Sequence, residues 1–189
     1  MRRYLAAIGV ALLAWSCALI PQRVVLKPEV RVAPAEIGQQ RPVAVTVLDE
    51  RPRAVIGYRG GGPGMLTGEI TTDQDVSSVI QQAIFEALKA KGFSPVTGSG
   101  PRTLKVEVRT LEYSHSSGLF VAIFRSEVAL KGICLNSGRS YERLHRGEEQ
   151  QQSPFVLTDD ENERIINVAL SRAVERLFGD PELLNCLAQ

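Results

Sequence analysis

Few side chains in this sequence have types and spacing that could support chemistry, and the clearest set follows an apolar run. Asp49 is the last residue of the run at 43–49, and Glu50 and Arg51 follow it, at a strand end where ligands often bind in α/β sheets. An enzyme could use Asp49 and Arg51 together with His115, which lies in a predicted polar turn. This requires that all three side chains converge in one pocket, because catalytic groups act within hydrogen-bond reach. The structural alternative is that Asp49 accepts hydrogen bonds from its own loop and Arg51 pairs nearby.

The other polar candidates have simpler explanations. His115 and His145 lack a third ligand at regular spacing, so both are predicted to be solvated surface histidines. The acidic cluster at 159–163 suits the first turn of a helix, where negative charge is favourable. The glycines at 60–62 are not followed by the Gly-Lys-Ser/Thr of a phosphate loop. We therefore predict no catalytic residues, no metal site, no cofactor and no enzymatic activity.

The three cysteines differ in their surroundings. Cys17 ends an apolar leader, whereas Cys134 and Cys186 lie far apart in the body of the chain. No CxxC motif or Cys/His cluster favours zinc. In an oxidising compartment Cys134 and Cys186 could form a disulfide; two buried free thiols are the alternative.

The first residues have the layout of a secretory signal. Arg2 and Arg3 precede an uncharged run from Tyr4 to Trp15, which is short for a membrane span. If the run is extended to Ile20, it almost reaches the length of a transmembrane helix, so an uncleaved membrane anchor is the alternative. The interpretation we favour is a signal peptide at 1–16.

The sequence "LLAWSC" resembles the lipobox of bacterial lipoproteins, in which a small residue precedes the cysteine that receives lipid. Ser16 fits this pattern, and Trp15 departs from it. Ala14 and Ser16 also fit ordinary signal cleavage at the same bond, which would release a soluble secreted protein. We predict lipidation of Cys17 and hence attachment to a membrane through acyl chains.

Composition excludes one class of partner. The chain has 189 residues, 44% of them hydrophobic, and 22 basic side chains balance 21 acidic ones. A near-neutral domain lacks the basic excess of a nucleic-acid binder.

Periodicity predicts an α+β fold: an antiparallel sheet of about four to five strands with two amphipathic helices on one face. Residues 17–42 are predicted to be the lipidated cysteine and an extended tether, and 43–189 a single domain. The predicted elements are strands at 43–49, 103–113 with a bulge near Thr110, 119–135 and 139–150, and helices at 72–92 and 158–178. A Gly- and Pro-rich loop covers 50–68, and a short turn closes the chain after Asp180.

Together these features resemble the YajG-like lipoproteins of Gram-negative envelopes. The matching residues are the cysteine-ended leader, Leu26-Lys27-Pro28, Asp49-x-Arg51, Ile56-Gly57, "KGF" at 91–93 and the final amphipathic helix. The resemblance covers about residues 17–178. It implies an outer-membrane lipoprotein facing the periplasm, of α/β sandwich shape, with no catalytic residues to carry over. By the same resemblance, Ala18 after the cysteine, in place of Asp, is compatible with outer-membrane sorting in enteric-type systems.

The resulting hypothesis is a non-enzymatic binding or auxiliary component of an envelope assembly. Its partner would be an envelope protein, a lipid or a glycan, and no nucleic acid is expected. The predicted contact surface combines the strand at 139–150 with a candidate binding loop of Asp49, Arg51, Arg53, Tyr58 and Arg59. The alternatives are a periplasmic enzyme using Asp49, Arg51 and His115, and a soluble secreted binding module without lipid.

Overall fold

The computed structural model describes residues 20–59, 68–118 and 120–189. Cys17, the predicted signal peptide and the glycines at 60–62 lie outside the described residues. Among the helices that are described, none is both long and apolar enough to cross a membrane.

The described chain forms a mixed sheet of eight strands covered by three helices. The strands are β1 (Gln22–Arg23), β2 (Pro42–Asp49), β3 (Gly57–Tyr58), β4 (Glu69–Thr71), β5 (Ser94–Thr97), β6 (Arg102–Ser117), β7 (Ala122–Asn136) and β8 (Arg139–Ser153). The helices are α1 (Val76–Ala90), α2 (Asp159–Phe178) and α3 (Pro181–Ala188).

The long strand β6 organises the sheet. On one side it pairs with β7, which pairs with the edge strand β8, and both pairings are antiparallel. On the other side β2 and β3 follow one another along β6, both parallel to it. Strand β5 lies beside β2, and β4 and then β1 lie beside β3. The ladder between β6 and β7 is irregular between Val108 and Thr110, where the bulge was predicted.

The predicted antiparallel sheet of four to five strands is therefore wrong in strand number and direction. Four of the seven pairings of described strands are parallel. Two of these are the pairings of β2 with β5 and with β6. Helix α1 connects β2 to these strands, and a crossover through a helix allows the next strand to run parallel to β2. The α+β class itself is confirmed.

The helices are defined by capping residues that the sequence shows. Asp75 accepts a hydrogen bond from the Ser77 amide at the start of α1. Thr158 and Glu161 form a reciprocal capping box at α2. Asp180 caps α3, which has Pro181 in its first turn.

The core lies between these helices and one face of the sheet. Helix α1 packs on β2 and β5, and α2 packs on β7 and β8. Leu104, Leu130, Ile165 and Leu177 are among its fully buried side chains. Burial of such side chains contributes about 1.5–3 kcal/mol each before the entropic cost of ordering the chain.

A disulfide ties α3 to the sheet. Cys134 on β7 and Cys186 on α3 are bonded, with their Cα atoms 6.4 Å apart. The Asn136 side-chain amide also donates to the carbonyl of Cys186 at 2.8 Å. The C-terminal turn is thus a helix that belongs to the core.

The segment predicted as a tether is extended and packed against the helices from Gln22 onward. Val24 and Leu26 are buried. The amides of Val25, Glu29 and Arg31 donate to side chains of α2, at Glu163, Ser171 and Glu175. We call residues 22–32 the strap.

Candidate functional site

The candidate site is a gap in the sheet along β6. Strand β2 ends with Asp49 opposite Val108, and β3 begins with Gly57 opposite Tyr113. The connecting residues 50–56 are held at both ends, since the Glu50 amide donates to the Val108 carbonyl and the Tyr113 amide to the Ile56 carbonyl. Between Val108 and Tyr113 no described strand pairs with this side of β6, and a cavity opens there.

The cavity has a volume of about 210 Å³ and mixed chemistry. Loop residues form one wall and β6 from Arg109 to Ser114 forms the other. The polar side chains in its lining include Arg51, Arg53, Tyr58, Arg109, Glu112 and Tyr113. Three of these six side chains are arginines and one is a carboxylate, so the lining favours a ligand with acceptor oxygens.

Arg51 is held in place by Asp49. Its Nε and Nη2 atoms donate to the two carboxylate oxygens at 2.8 and 2.7 Å, a bidentate pair. The Arg51 side chain is only 7% exposed, and its Nη1 atom has no hydrogen-bond partner among the described residues. The hydrogen bond from Arg51 holds the pKa of Asp49 below its ordinary value. Asp49 thus fixes a buried guanidinium that still has donor capacity.

A chain of ion pairs continues from the cavity across the open face of the sheet. Arg109 donates to Glu50 at 2.8 Å and pairs with Glu107. Lys105 donates to Glu107 at 2.7 Å, and this hydrogen bond, with burial opposing it, holds the pKa of Glu107 below its ordinary value. Glu107 therefore stays ionised although its side chain is only 7% exposed.

Arg59 turns away from this cavity. Its guanidinium pairs with Asp159 at the start of α2 and donates to the Ile20 carbonyl at 3.4 Å. With a side chain 8% exposed, Arg59 connects the end of β3 to α2 and to Ile20, two residues before the strap. Of the five predicted loop residues, Arg51, Arg53 and Tyr58 line the cavity, Asp49 lies behind Arg51, and Arg59 has a structural position.

The three residues of the enzyme alternative do not converge. Asp49 lies opposite Val108, and His115 is further along β6, about 20 Å away at about 3.3 Å per residue. The His115 ring stacks on Phe124, with centroids 6.1 Å apart. No group of three or more metal-ligating side chains occurs in residues 20–59, 68–118 and 120–189.

His145 is buried, so its prediction as a surface histidine is wrong. It faces α3 from β8, with Nε2 3.6 Å from the Asp180 carboxylate. Asp180 also accepts a hydrogen bond from the Tyr141 hydroxyl at 2.9 Å, and it caps α3. Burial lowers the pKa of His145, with the Asp180 charge opposing that shift. The alternation of Tyr141, His145 and Gly147 on β8 is the signal that would have placed His145 on the inner face.

Comparisons with known proteins agree with this architecture. The model of a family described as "Uncharacterized lipoprotein" matches residues 28–188. A crystal structure of a Xanthomonas campestris protein superposes with a TM-score of 0.59 at 16% identity, covering 80% of this chain and 90% of that one. At this identity the similarity shows a shared fold.

Two further solved structures are more distant. A minor lipoprotein from Acinetobacter baumannii has a TM-score of 0.46 at 8% identity, covering 75% of this chain and 91% of that one. Rare lipoprotein B from Shewanella oneidensis has a TM-score of 0.43 at 10% identity, covering 78% of this chain and 94% of that one. A search of curated proteins finds no match.

Proposed function

This chain belongs to a family of bacterial lipoproteins, and from that premise we propose that it is an outer-membrane lipoprotein of the YajG-like type, anchored at Cys17. Its periplasmic domain acts as a non-enzymatic binding or auxiliary component of an envelope assembly. The partner is another envelope protein, a lipid or a glycan.

The observation that carries this proposal is where the chain joins the fold. Cys17 precedes Ile20 by three residues, and the strap is fixed to α2 from Gln22 onward. Acyl chains on Cys17 would therefore hold the whole domain close to the bilayer instead of on a long flexible tether. A protein confined in this way is suited to contacting other components at the same membrane.

The cavity beside Arg51 supplies the contact surface that we favour. Arg53 and Tyr58 are exposed at its rim, and behind them the buried Nη1 atom of Arg51 has no hydrogen-bond partner among the described residues. Such a cavity would accept a carboxylate, a phosphate or a polar loop of a partner. A non-enzymatic role is supported by the separation of Asp49 from His115, which removes the enzyme hypothesis built on them.

The test is a crosslinking pull-down from intact membranes. Wild-type protein is compared with Cys17→Ala, with Arg53→Glu at the cavity rim, and with Lys89→Glu as a matched charge reversal on the exposed side of α1. We expect Cys17→Ala to leave the membrane fraction, and Arg53→Glu to lose a partner that Lys89→Glu keeps. If Arg53→Glu retained every partner, the cavity would not be the contact surface.

Mass spectrometry of the mature N-terminus separates the lipoprotein from a soluble secreted module. A lipoprotein begins at Cys17 with the mass of added acyl chains. The same cleavage without added mass would support the soluble alternative and overturn the anchoring.

A further inference from the structure

Large apolar side chains are exposed together at one end of the sheet. Phe120 is 87% and Phe155 77% exposed, and Val121 and Val156 beside them are 42% and 50% exposed. The surrounding sequence carries no acidic or basic side chain from Tyr113 to Phe124, apart from His115, or from Gln150 to Thr158. A soluble surface rarely combines two bare aromatic rings with such a lack of charge.

The two segments are neighbours in space. The turn between β6 and β7 contains Phe120 and Val121, and Ala122, the first residue of β7, pairs with Ser153, the last residue of β8. Phe155 follows two residues after Ser153. Since paired strands lie about 4.8 Å apart, the segments extend side by side from the end of the sheet. We call Phe120, Val121, Phe155 and Val156 the apolar tip.

The chain enters the fold at the same end. Ile20, itself 57% exposed, accepts a hydrogen bond from Arg59, whose guanidinium pairs with Asp159 just beyond Phe155 and Val156. Gln22 pairs with Ile70, Ile70 with Gly57 and Gly57 with Tyr113, which places β1 level with the last part of β6. Through these pairings β1 runs antiparallel to β6, so Ile20 lies on the side of Gln22 that faces the tip.

We infer that the apolar tip inserts into the surface of the bilayer that holds the lipid of Cys17. This rests on the proposed anchoring. Ile20 follows Cys17 by three residue steps, which span at most about 11 Å. Gln22 is level with Tyr113, so Ile20 is level with about His115 on β6. From there the chain runs about 10 Å further to the turn that carries the tip, at about 3.3 Å per residue. The lipid attachment point and the tip can therefore reach the same plane.

The consequence is a fixed orientation of the domain. The acyl chains supply the anchor, and Phe120 and Phe155 add a second contact in the interfacial zone, where aromatic side chains are favoured. Two separate contacts with the bilayer restrict tilting more than the lipid anchor alone. The cavity beside Arg51 would then face sideways along the membrane, towards proteins in the same leaflet.

A tryptophan placed on the tip tests this directly. The sequence has one tryptophan, Trp15, which leaves with the signal peptide if the chain is cleaved before Cys17. Acylated Phe120→Trp is reconstituted into phosphatidylethanolamine and phosphatidylglycerol vesicles containing spin-labelled lipids. Leu135→Trp is the matched control, because Leu135 is an exposed apolar residue at the opposite end of β7. We expect a blue-shifted emission with at least twofold quenching for Phe120→Trp and neither effect for Leu135→Trp.

The outcomes separate this inference from the proposed function. Mature protein without acyl chains would overturn the anchoring and the inserted tip together. Protein that is acylated and floats with the vesicles, but whose Phe120→Trp is quenched no more than Leu135→Trp, would overturn the tip alone. Blue-shifted emission that the labelled lipids leave unquenched would indicate that a second copy of the protein covers the tip, because the vesicles contain no other protein, and would also overturn insertion.

Discussion

The main-chain amide of Lys27 donates to the side-chain oxygen of Asn167 at 2.6 Å, and the side-chain nitrogen of Asn167 donates back to the Val25 carbonyl at 2.9 Å. This pair is the middle of a ladder in which every second residue of the strap meets every fourth residue of α2. Two extended residues span about 6.7 Å and four helical residues about 6 Å, so the two spacings match over several steps.

Removing the middle of this ladder should loosen the strap. Asn167→Ala deletes the partner of one amide and one carbonyl, and we expect a loss of about 1–2 kcal/mol in the free energy of unfolding. Urea denaturation measures it. Gln82→Ala is the control, because Gln82 is exposed on α1 and its side chain donates to Glu86 on the same helix. A loss no larger than that of the control would mean that the two hydrogen bonds of Asn167 to the strap do not stabilise the fold.

The strap was only partly predictable from the sequence. Its prolines and weak periodicity correctly predicted extended backbone, but its partners are side chains more than 130 residues away. The short strands β1, β3, β4 and β5 were missed for a different reason, because two to four residues carry no periodicity of their own. The long, regularly patterned segments β6, β7, β8, α1 and α2 were predicted close to their observed positions.

The disulfide between Cys134 and Cys186 should stabilise the fold strongly. It closes a loop of 52 residues, for which the chain-entropy estimate is about 4 kcal/mol. The double variant Cys134→Ala/Cys186→Ala is therefore expected to unfold at lower denaturant concentration, with a loss of about 2–5 kcal/mol. Unreduced wild-type protein should also resist alkylation. Rapid labelling of both cysteines without reductant would show that the bond does not form.

His145 should make stability depend on pH. Burial lowers its pKa in the folded protein, whereas the unfolded chain titrates near its ordinary value of about 6.5. Below that pH the unfolded state binds a proton that the folded state does not, so stability is present above about 6.5 and is lost as the pH falls. The contribution of one proton is at most about 1.4 kcal/mol per pH unit.

Comparison with His145→Asn isolates this effect. At pH 7.5 the difference in unfolding free energy between the two proteins reports the cost of the substitution alone, since the histidine is neutral in both states. We expect this difference to shrink between pH 6.5 and 5, as the wild-type protein loses stability faster. Parallel pH profiles would contradict the assignment.

The site was partly predictable because its chemistry is local. Asp49 and Arg51 are two residues apart, and a strand end followed by a polar turn predicts that such neighbours pair, as they do. The opposite wall of the cavity, from Arg109 to Ser114, was not predictable. It depends on where β2 stops and β3 starts along β6, which is a matter of register between distant segments.

The pair of Asp49 and Arg51 should show strong energetic coupling. Asp49→Ala leaves a buried guanidinium without its counter-charge, so it should cost more than Asp49→Ala/Arg51→Met, in which the charge is also removed. A double-mutant cycle is expected to give a coupling of about 1–3 kcal/mol. The exposed pair of Glu29 and Arg31, with side chains 76% and 85% exposed, is the control and should give less than about 0.5 kcal/mol. Equal coupling in both pairs would argue against a preformed arginine at the cavity.

Gly147 should not tolerate a side chain, because α2 lies directly over it. A Cβ atom there would be 2.0 Å from the Ala169 carbonyl oxygen and 2.3 Å from the Ala173 nitrogen, both backbone atoms of α2. Gly147→Ala must push the helix away from β8, and overpacking of this kind costs about 1–3 kcal/mol. Gly100→Ala is the matched control, since its nearest neighbour would be the Ala44 side chain at an ordinary 3.4 Å. Thermal unfolding of the two variants should separate by several degrees, and equal melting temperatures would mean that α2 does not pack on β8 this closely.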